Sequence, residues 1–233
     1  MTDASRHGLY GQPPERLADL PPDAIQFSPL VPGSDALEAR ADASLDGFTM
    51  LAPPGTLERR FAMAHALRAL APAADFTILA PKDRGGARLN AELAALGCEV
   101  VETGKRHHRI CSGVRPQALA DLDAVLAETG PRRIPPDDLW SQPGVFSWDR
   151  LDPGTALLMA HLPALAGHGA DFGCGIGMLS RGVLVSAAVK SLILVDIDRR
   201  AVDAARRNIE DGRATFRWSD LRQPDPTLAK LDF

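Results

Sequence analysis

The sequence lacks the features that mark secreted and membrane proteins. It has three cysteines, Cys98, Cys111 and Cys174, and their spacing fits neither disulfide pairs nor a metal site. Reduced thiols in a cytosolic protein are therefore expected. No apolar run approaches the roughly 20 residues of a membrane helix, and the N-terminus has no basic-then-apolar signal pattern. These absences predict a cytoplasmic protein with no membrane partner.

A net positive charge is also absent. The chain has 26 Lys and Arg against 30 Asp and Glu, which gives a formal net charge of -4. Because no overall field would hold a polyanion, any contact with nucleic acid must come from a local patch. The composition, 45% hydrophobic and 24% charged, is that of a globular protein. A length of 233 residues fits two modest domains or one large domain.

The order of apolar and helix-breaking segments predicts two α/β units. Residues 1–54 are rich in proline, which removes backbone donors, and predict a loosely packed lead-in. Residues 55–130 predict a first α/β domain and residues 131–144 a proline-broken linker. Residues 145–233 predict a second unit, because the apolar run 192–195 is typical of a parallel strand covered on both faces.

The strongest local signal is the segment from Asp171 to Gly177, which lies between a predicted strand and a predicted helix. Gly173, Gly175 and Gly177 allow positive φ and a close approach of the backbone to a ligand. The spacing differs from the G-x-G-x-x-G of dinucleotide folds. The carboxylate of Asp171 suits a cationic group such as an amine and would repel a pyrophosphate. A tight strand-to-helix turn without a ligand is the alternative interpretation.

Two further acidic positions follow strands downstream. Asp196 ends the next apolar strand, where a carboxylate can accept hydrogen bonds from both hydroxyls of a ribose, and Ile197 can pack on an adenine face. Asp198 fits the N-cap of the next helix better, which leaves Asp196 free for a ligand. Ser219 and Asp220 follow a third strand, where a carboxylate can accept from an adenine amine; alone, this pair is more often a plain turn.

These three motifs resemble the successive cofactor motifs of class I methyltransferases. The upstream segments 143–147 and 151–158 resemble the start of the small-domain methyltransferases, and within them the chain is most similar to bacterial 16S ribosomal RNA guanine-N2 methyltransferases. The resemblance covers about residues 55–233. It implies a Rossmann-like α/β class I fold at the C-terminus, incomplete here, preceded by a degenerate methyltransferase-like α/β domain.

The resemblance also implies a cofactor, a partner and residue roles. S-adenosylmethionine (SAM) would be the cofactor, and ribosomal RNA or the small ribosomal subunit the partner. Asp171 would hold the methionine amine, and the loop glycines would give backbone room. Asp196 would bind the ribose, Ile197 would flank the adenine, and Asp220, next to Ser219, would bind its exocyclic amine.

The sequence departs from the family where the acceptor should bind. These enzymes place an Asn-Pro-Pro-aromatic motif at the end of the fourth strand, and residues 230–233 resemble the start of that strand. The motif itself is not present. We therefore expect a chain truncated before this motif, inactive alone, with no catalytic residue assigned and an exposed sheet edge.

Two alternative functions and two interpretations of one basic segment remain open. A non-catalytic SAM-binding or interaction protein would explain the missing motif. A nicotinamide-dependent oxidoreductase would use the strand-loop-helix and Asp196, but Asp171 and the glycine spacing argue against it.

The basic segment 105–109, predicted to start a strand after a turn at Thr103–Gly104, would either contact RNA or be a charged, solvated edge strand. Its adjacent histidines would point to opposite faces, so a shared metal is not expected.

Overall fold

The computed structural model describes residues 6–223, 226–228 and 230–233. Contacts divide the chain into two compact units, with the boundary between Gly130 and Pro131. Among the described residues, no helix is both long enough and apolar enough to cross a bilayer.

The N-terminal unit is built on a mixed sheet. Its strands are β1 (His7–Tyr10), β2 (Ile25–Gln26), β3 (Leu45–Leu51), β4 (Leu70–Pro81), β5 (Val100–Lys105) and β6 (His108–Val114), and its helices are α1 (Thr56–Ala69), α2 (Leu89–Ala95) and α3 (Leu122–Thr129). Within the described residues the six strands lie in the order β2-β1-β3-β4-β6-β5. The first four strands in this order are parallel, and β6 is antiparallel to both β4 and β5.

The first strands belong to the core, which differs from the lead-in expected for residues 1–54. Phe27 and Phe48 are fully buried, with stacked rings 6.2 Å apart. Gly8 of β1 makes room for this packing, since a Cβ there would lie 2.4 Å from the Phe48 ring. These strands are short and separated by prolines, so their sequence periodicity is weak, and pairing with distant strands determines their structure.

The hairpin of β5 and β6 also differs from the sequence-based expectation. Its turn is at Arg106 and His107, and the expected turn at Thr103–Gly104 lies within β5. Strand β5 forms one edge of the sheet, whereas β6 lies between β4 and β5. The segment 105–109 therefore contains a hairpin tip and not a continuous edge strand.

A buried arginine fills the loop that follows β3. The Arg59 side chain is fully buried, and it makes two 2.7 Å hydrogen bonds to the Glu92 carboxylate. Its Nη1 also donates to the carbonyls of Pro53 and Pro54. Gly85 has φ +97°, and a Cβ there would lie 2.2 Å from Nη1. The loop therefore holds one of the unit's own side chains.

The C-terminal unit has a small parallel sheet. Its described strands are β9 (Gly167–Phe172), β10 (Val189–Asp196) and β11 (Ala214–Trp218), and its helices are α4 (Pro153–Ala160), α5 (Met178–Leu184) and α6 (Arg199–Asn208). The strands lie in the order β11-β10-β9, with β10 in the centre. The centre of β10 carries the apolar run predicted from the sequence, and Leu194 and Val195 are fully buried.

The expected linker 131–144 is largely structured within this unit. It contains a hairpin of β7 (Arg132–Ile134) and β8 (Leu139–Ser141). The hairpin is tied to the end of α6, because Asn208 bonds both the N–H and the carbonyl of Trp140. Prolines between the two strands gave this segment the appearance of a linker in the sequence.

The residues taken for the start of a fourth strand lie beside β9. Asp232 N donates to the His168 carbonyl at 2.7 Å, and Ala170 N donates to the Phe233 carbonyl at 3.1 Å. The Phe233 ring lies over Gly169, where a Cβ would be 2.1 Å from it. Backbone contacts therefore run along the edge of β9 that faces away from β10.

We predict that the Arg59–Glu92 pair is essential to the stability of the N-terminal unit. Glu92→Gln should lower its free energy of unfolding by about 3–5 kcal/mol, because Arg59 would remain buried without a counter-charge. Asp46→Asn is the matched control: it breaks an ion pair with Arg6 whose side chains are about half exposed, and it should cost under about 1 kcal/mol. Denaturant unfolding measures both changes, and equal small effects would contradict the assignment.

Candidate functional site

The predicted site residues meet at one edge of the C-terminal sheet. Strands β9, β10 and β11 are parallel, so their carboxyl ends lie on the same side. Asp171 pairs in register with Leu194, two residues before Asp196. Ser219 follows β11, and its N–H donates to the Asp196 carbonyl at 3.0 Å. The fold therefore brings together motifs that are almost 50 residues apart in the chain.

The glycine loop has open space on one side. Gly173, Gly175 and Gly177 have φ values of +79°, +53° and +86°. A Cβ on Gly173 or Gly175 would meet no atom within 4 Å, whereas one on Gly177 would lie 2.8 Å from Ile209 Cδ1. The first two glycines therefore border space for a ligand, and the third lets the loop pack against the end of α6.

Asp171 is a half-buried carboxylate in a negative environment. Burial raises its pKa above the ordinary value, and the nearby charge of Asp196 acts in the same direction. A 2.5 Å hydrogen bond from Ser180 Oγ to Asp171 Oδ2 opposes that shift. A cationic group close to the two carboxylates would relieve their repulsion.

Asp196 fastens the glycine loop to the end of β10. Its Oδ2 accepts from Gly175 N and its Oδ1 from Asp198 N, both at 2.9 Å. Asp196 therefore has two backbone partners in addition to any ligand, and each carboxylate oxygen has a second lone pair. Asp198 caps α6 as predicted, accepting from Arg200 N at 3.0 Å.

The remaining predicted site residues, Ile197 and Asp220, differ in how far they are accessible to a ligand. Ile197 is 37% exposed, and its carbonyl accepts from Trp218 Nε1 at 2.8 Å. The Asp220 carboxylate accepts from the Arg222 backbone N–H and guanidinium, with Nη2 at 2.7 Å. These bonds lower the pKa of Asp220. An adenine amine would therefore have to share the Asp220 carboxylate with Arg222. The ion pair between Asp220 and Arg222, two residues apart, was not predicted from the sequence.

A cavity of about 200 Å³ lies beside the glycine loop. The segment before α4 forms its other wall, and Asp152 there caps α4 by accepting from Thr155 N at 2.9 Å. In the sequence, only the resemblance to the start of the small-domain methyltransferases pointed to this segment, and it singled out no individual residue as a site residue. The lining residues are Phe146, Ser147, Arg150, Leu151, Asp152, Thr155, 171–176, Met178 and Leu179.

Two large apolar side chains at this cavity are exposed. Phe146 is 77% exposed and Phe172 is 53% exposed. Phe172 ends β9, where an apolar side chain would normally be covered by a neighbouring element. Its position directly after the strand expected from the sequence, and before the first loop glycine, was the sequence signal available for it.

Asn208 joins the glycine loop to the β7–β8 hairpin, a role that could not be predicted from the sequence. Its Nδ2 donates to the carbonyls of Ile176 and Trp140, both at 2.9 Å, and its Oδ1 accepts from Trp140 N at 2.7 Å. The glycine loop and the β7–β8 hairpin are thus joined through one amide. The local sequence around Asn208 does not indicate these distant hydrogen-bond partners.

Nucleophilic and metal chemistry have little support at this site. Cys174 is buried, and burial together with Asp196 raises the pKa of its thiol. A thiol in that state is a poor nucleophile. In the part of the chain that the structure describes, no three His, Cys, Asp or Glu side chains are grouped so that they could hold a metal ion.

Comparisons with known proteins agree with this architecture. Ribosomal RNA small subunit methyltransferase C of Pseudomonas aeruginosa (strain LESB58) is 32% identical over 188 residues, which are 79% of this chain and 57% of the relative. The same-named protein of Pseudomonas putida (strain W619) is 43% identical over 91 residues, 39% of this chain and 26% of the relative. The chain therefore spans little more than half the length of the curated relatives that it matches.

A solved structure shares the fold. The T. thermophilus 16S rRNA N2 methyltransferase RsmC, in complex with AdoMet and guanosine, aligns with a TM-score of 0.62 at 22% identity. The alignment covers 79% of this chain and 53% of that chain. Residues 137–232 also match the profile of the family described as the methyltransferase small domain. This region of the chain, residues 137–232, therefore belongs to the methyltransferase small-domain family.

Proposed function

We propose that the C-terminal unit binds SAM and that the chain is the cofactor-binding part of a ribosomal RNA guanine-N2 methyltransferase. One observation carries the proposal. The carboxylates of Asp171 and Asp196 flank a left-handed glycine loop that borders open space. This combination suits a ligand that carries both an ammonium group and vicinal hydroxyls.

The residues present fit SAM from end to end. Asp171 would pair with the ammonium of the methionine part, and Gly173 and Gly175 would leave room for it. Asp196 would accept from the ribose hydroxyls through its remaining lone pairs. Ile197 would lie against the adenine, and Asp220, beside Ser219, would accept from the adenine amine while sharing its charge with Arg222.

The acceptor assignment draws on the relatives. The curated relatives are named as small-subunit ribosomal RNA methyltransferases, and the T. thermophilus enzyme was solved with guanosine. A guanine exocyclic amine of 16S rRNA is thus the acceptor that we propose. Bound SAM would supply an electrophilic methyl group on its sulfonium, and the acceptor nitrogen must be held in line about 3 Å from it.

We further propose that residues 1–233 hold the cofactor and do not transfer the methyl group by themselves. The resemblance assigns acceptor positioning to an Asn-Pro-Pro-aromatic run. The two asparagines of the sequence, Asn90 and Asn208, are followed by alanine and isoleucine, and Asn208 is committed to the glycine loop. A SAM-binding protein without catalysis is therefore the second candidate for these residues alone.

Calorimetry with SAM and with NAD tests the cofactor assignment. SAM should bind and NAD should not, because a pyrophosphate would lie against the Asp171 carboxylate. Asp171→Asn should weaken SAM binding by about 1.5–3 kcal/mol, the usual value of a hydrogen bond to a charged group. Asp203→Asn, on the exposed side of α6, is the matched control and should leave the affinity unchanged. Tighter binding of NAD than of SAM would refute the proposal.

The raised pKa of Asp171 predicts a pH dependence. Its ionised form attracts the ammonium of SAM, so affinity should be lost as the pH falls through the Asp171 pKa, which burial raises from its ordinary value. Ser180→Ala removes the hydrogen bond that lowers this pKa, and the loss should then begin at a still higher pH. A calorimetric pH series on both proteins measures the shift. A shift to lower pH in Ser180→Ala would contradict the role of Asp171.

A further inference from the structure

Five exposed cations surround the β5–β6 turn of the N-terminal unit. We name them the hairpin surface: Arg16, Lys82, Arg84, Lys105 and Arg106. Two hydrogen bonds, one from a side chain and one from the backbone, hold their segments together. Lys105 Nζ donates to the Arg16 carbonyl at 3.0 Å, and Lys82 N donates to the His107 carbonyl at 2.8 Å. Three segments that are distant in sequence therefore present their positive charges at one place.

The charge of the hairpin surface is largely uncompensated. Within the described residues, none of its five cations has a carboxylate at ion-pair distance, whereas Arg109 is paired with Glu102 at 3.4 Å. The carboxylates adjacent to these cations in the sequence are Glu15 and Asp83. A local positive excess thus exists on a chain whose formal net charge is -4.

The turn at the centre of this surface is strained. Arg106 and His107 have φ values of 48° and 59°, which place two consecutive non-glycine residues in the left-handed region. A two-residue hairpin loop of this kind favours Asn-Gly, because those residues tolerate positive φ. The chain instead has an arginine and a histidine at the tip, both exposed. Strain of this kind is typical of functional sites.

We propose that the hairpin surface binds the phosphate backbone of RNA, an inference that rests on the proposed action on ribosomal RNA. Guanidinium and ammonium groups bind phosphate oxygens through charge-assisted hydrogen bonds. The exposed imidazole of His107 can stack on an unpaired base, as aromatic side chains do in RNA recognition. An acidic protein segment would use the cations and would not need the ring, so the chemistry favours RNA.

Replacing the turn separates its function from its stability. The double change Arg106→Asn with His107→Gly supplies the sequence that this turn favours, so the Tm should rise by about 2–4 °C. Affinity for a fluorescein-labelled RNA stem-loop should nevertheless fall about threefold to tenfold at low salt. A stabilised protein with unchanged RNA affinity would overturn the inference, and misfolding cannot explain that result.

The salt dependence measures the phosphate contacts directly. The slope of log K against log salt should decrease by about one for Arg106→Gln and by about two for Lys82→Gln with Arg106→Gln. Lys190→Gln, an exposed lysine at the start of β10, removes the same single charge and should leave the slope unchanged. An equal decrease in that control would show a nonspecific effect of net charge and would overturn the assignment of the surface.

Two further readouts identify the partner and separate this inference from the proposed function. A polyglutamate peptide should compete poorly with the RNA, and equal competition at equal charge would assign the surface to an acidic protein segment and overturn the RNA inference. SAM affinity, measured on the same variants, should equal that of the unchanged chain. Intact SAM binding with salt slopes that no variant alters would refute the hairpin surface alone. Hairpin-dependent RNA binding without SAM binding would refute the proposed function alone.

Discussion

The hydrogen bond between the Gly175 N–H and the Asp196 carboxylate is the contact on which the candidate site depends. It joins the end of β10 to the loop that follows β9, and it operates only because parallel strands bring their carboxyl ends to the same edge. The second oxygen of Asp196 holds the turn into α6. A single carboxylate thus sets the position of both segments.

A strand-to-helix loop of the N-terminal unit, the one after β3, is closed by the unit's own side chains. The two prolines after β3 accept hydrogen bonds from Arg59 through their carbonyls, and the Arg59 guanidinium also forms an ion pair with Glu92. In the C-terminal unit the loop after β9 has glycines with open space beside them. The polar groups of the loop after β3 therefore bind a side chain of the same unit, whereas the loop after β9 has open space beside its backbone.

Much of the C-terminal site could be predicted from the sequence, because local rules determine it. The apolar run of β10, the helix cap at Asp198 and the three glycines each depend on neighbours in the chain. The contacts missed from the sequence are long-range. Asn208 reaches Ile176 and Trp140 across the unit, and the Gly175–Asp196 bond spans 21 residues. The same limit explains why the short strands before residue 54 read as a loose lead-in.

A crystal structure of the chain with bound S-adenosylhomocysteine would test the central claim most directly. The account predicts density across the carboxyl ends of β9, β10 and β11, with the amino group at Asp171 and the ribose hydroxyls at Asp196. The Gly175–Asp196 hydrogen bond should persist in that complex, because it shapes the loop that the ligand enters. A ligand bound elsewhere, or a loop that must abandon the Asp196 contact to admit it, would contradict the account.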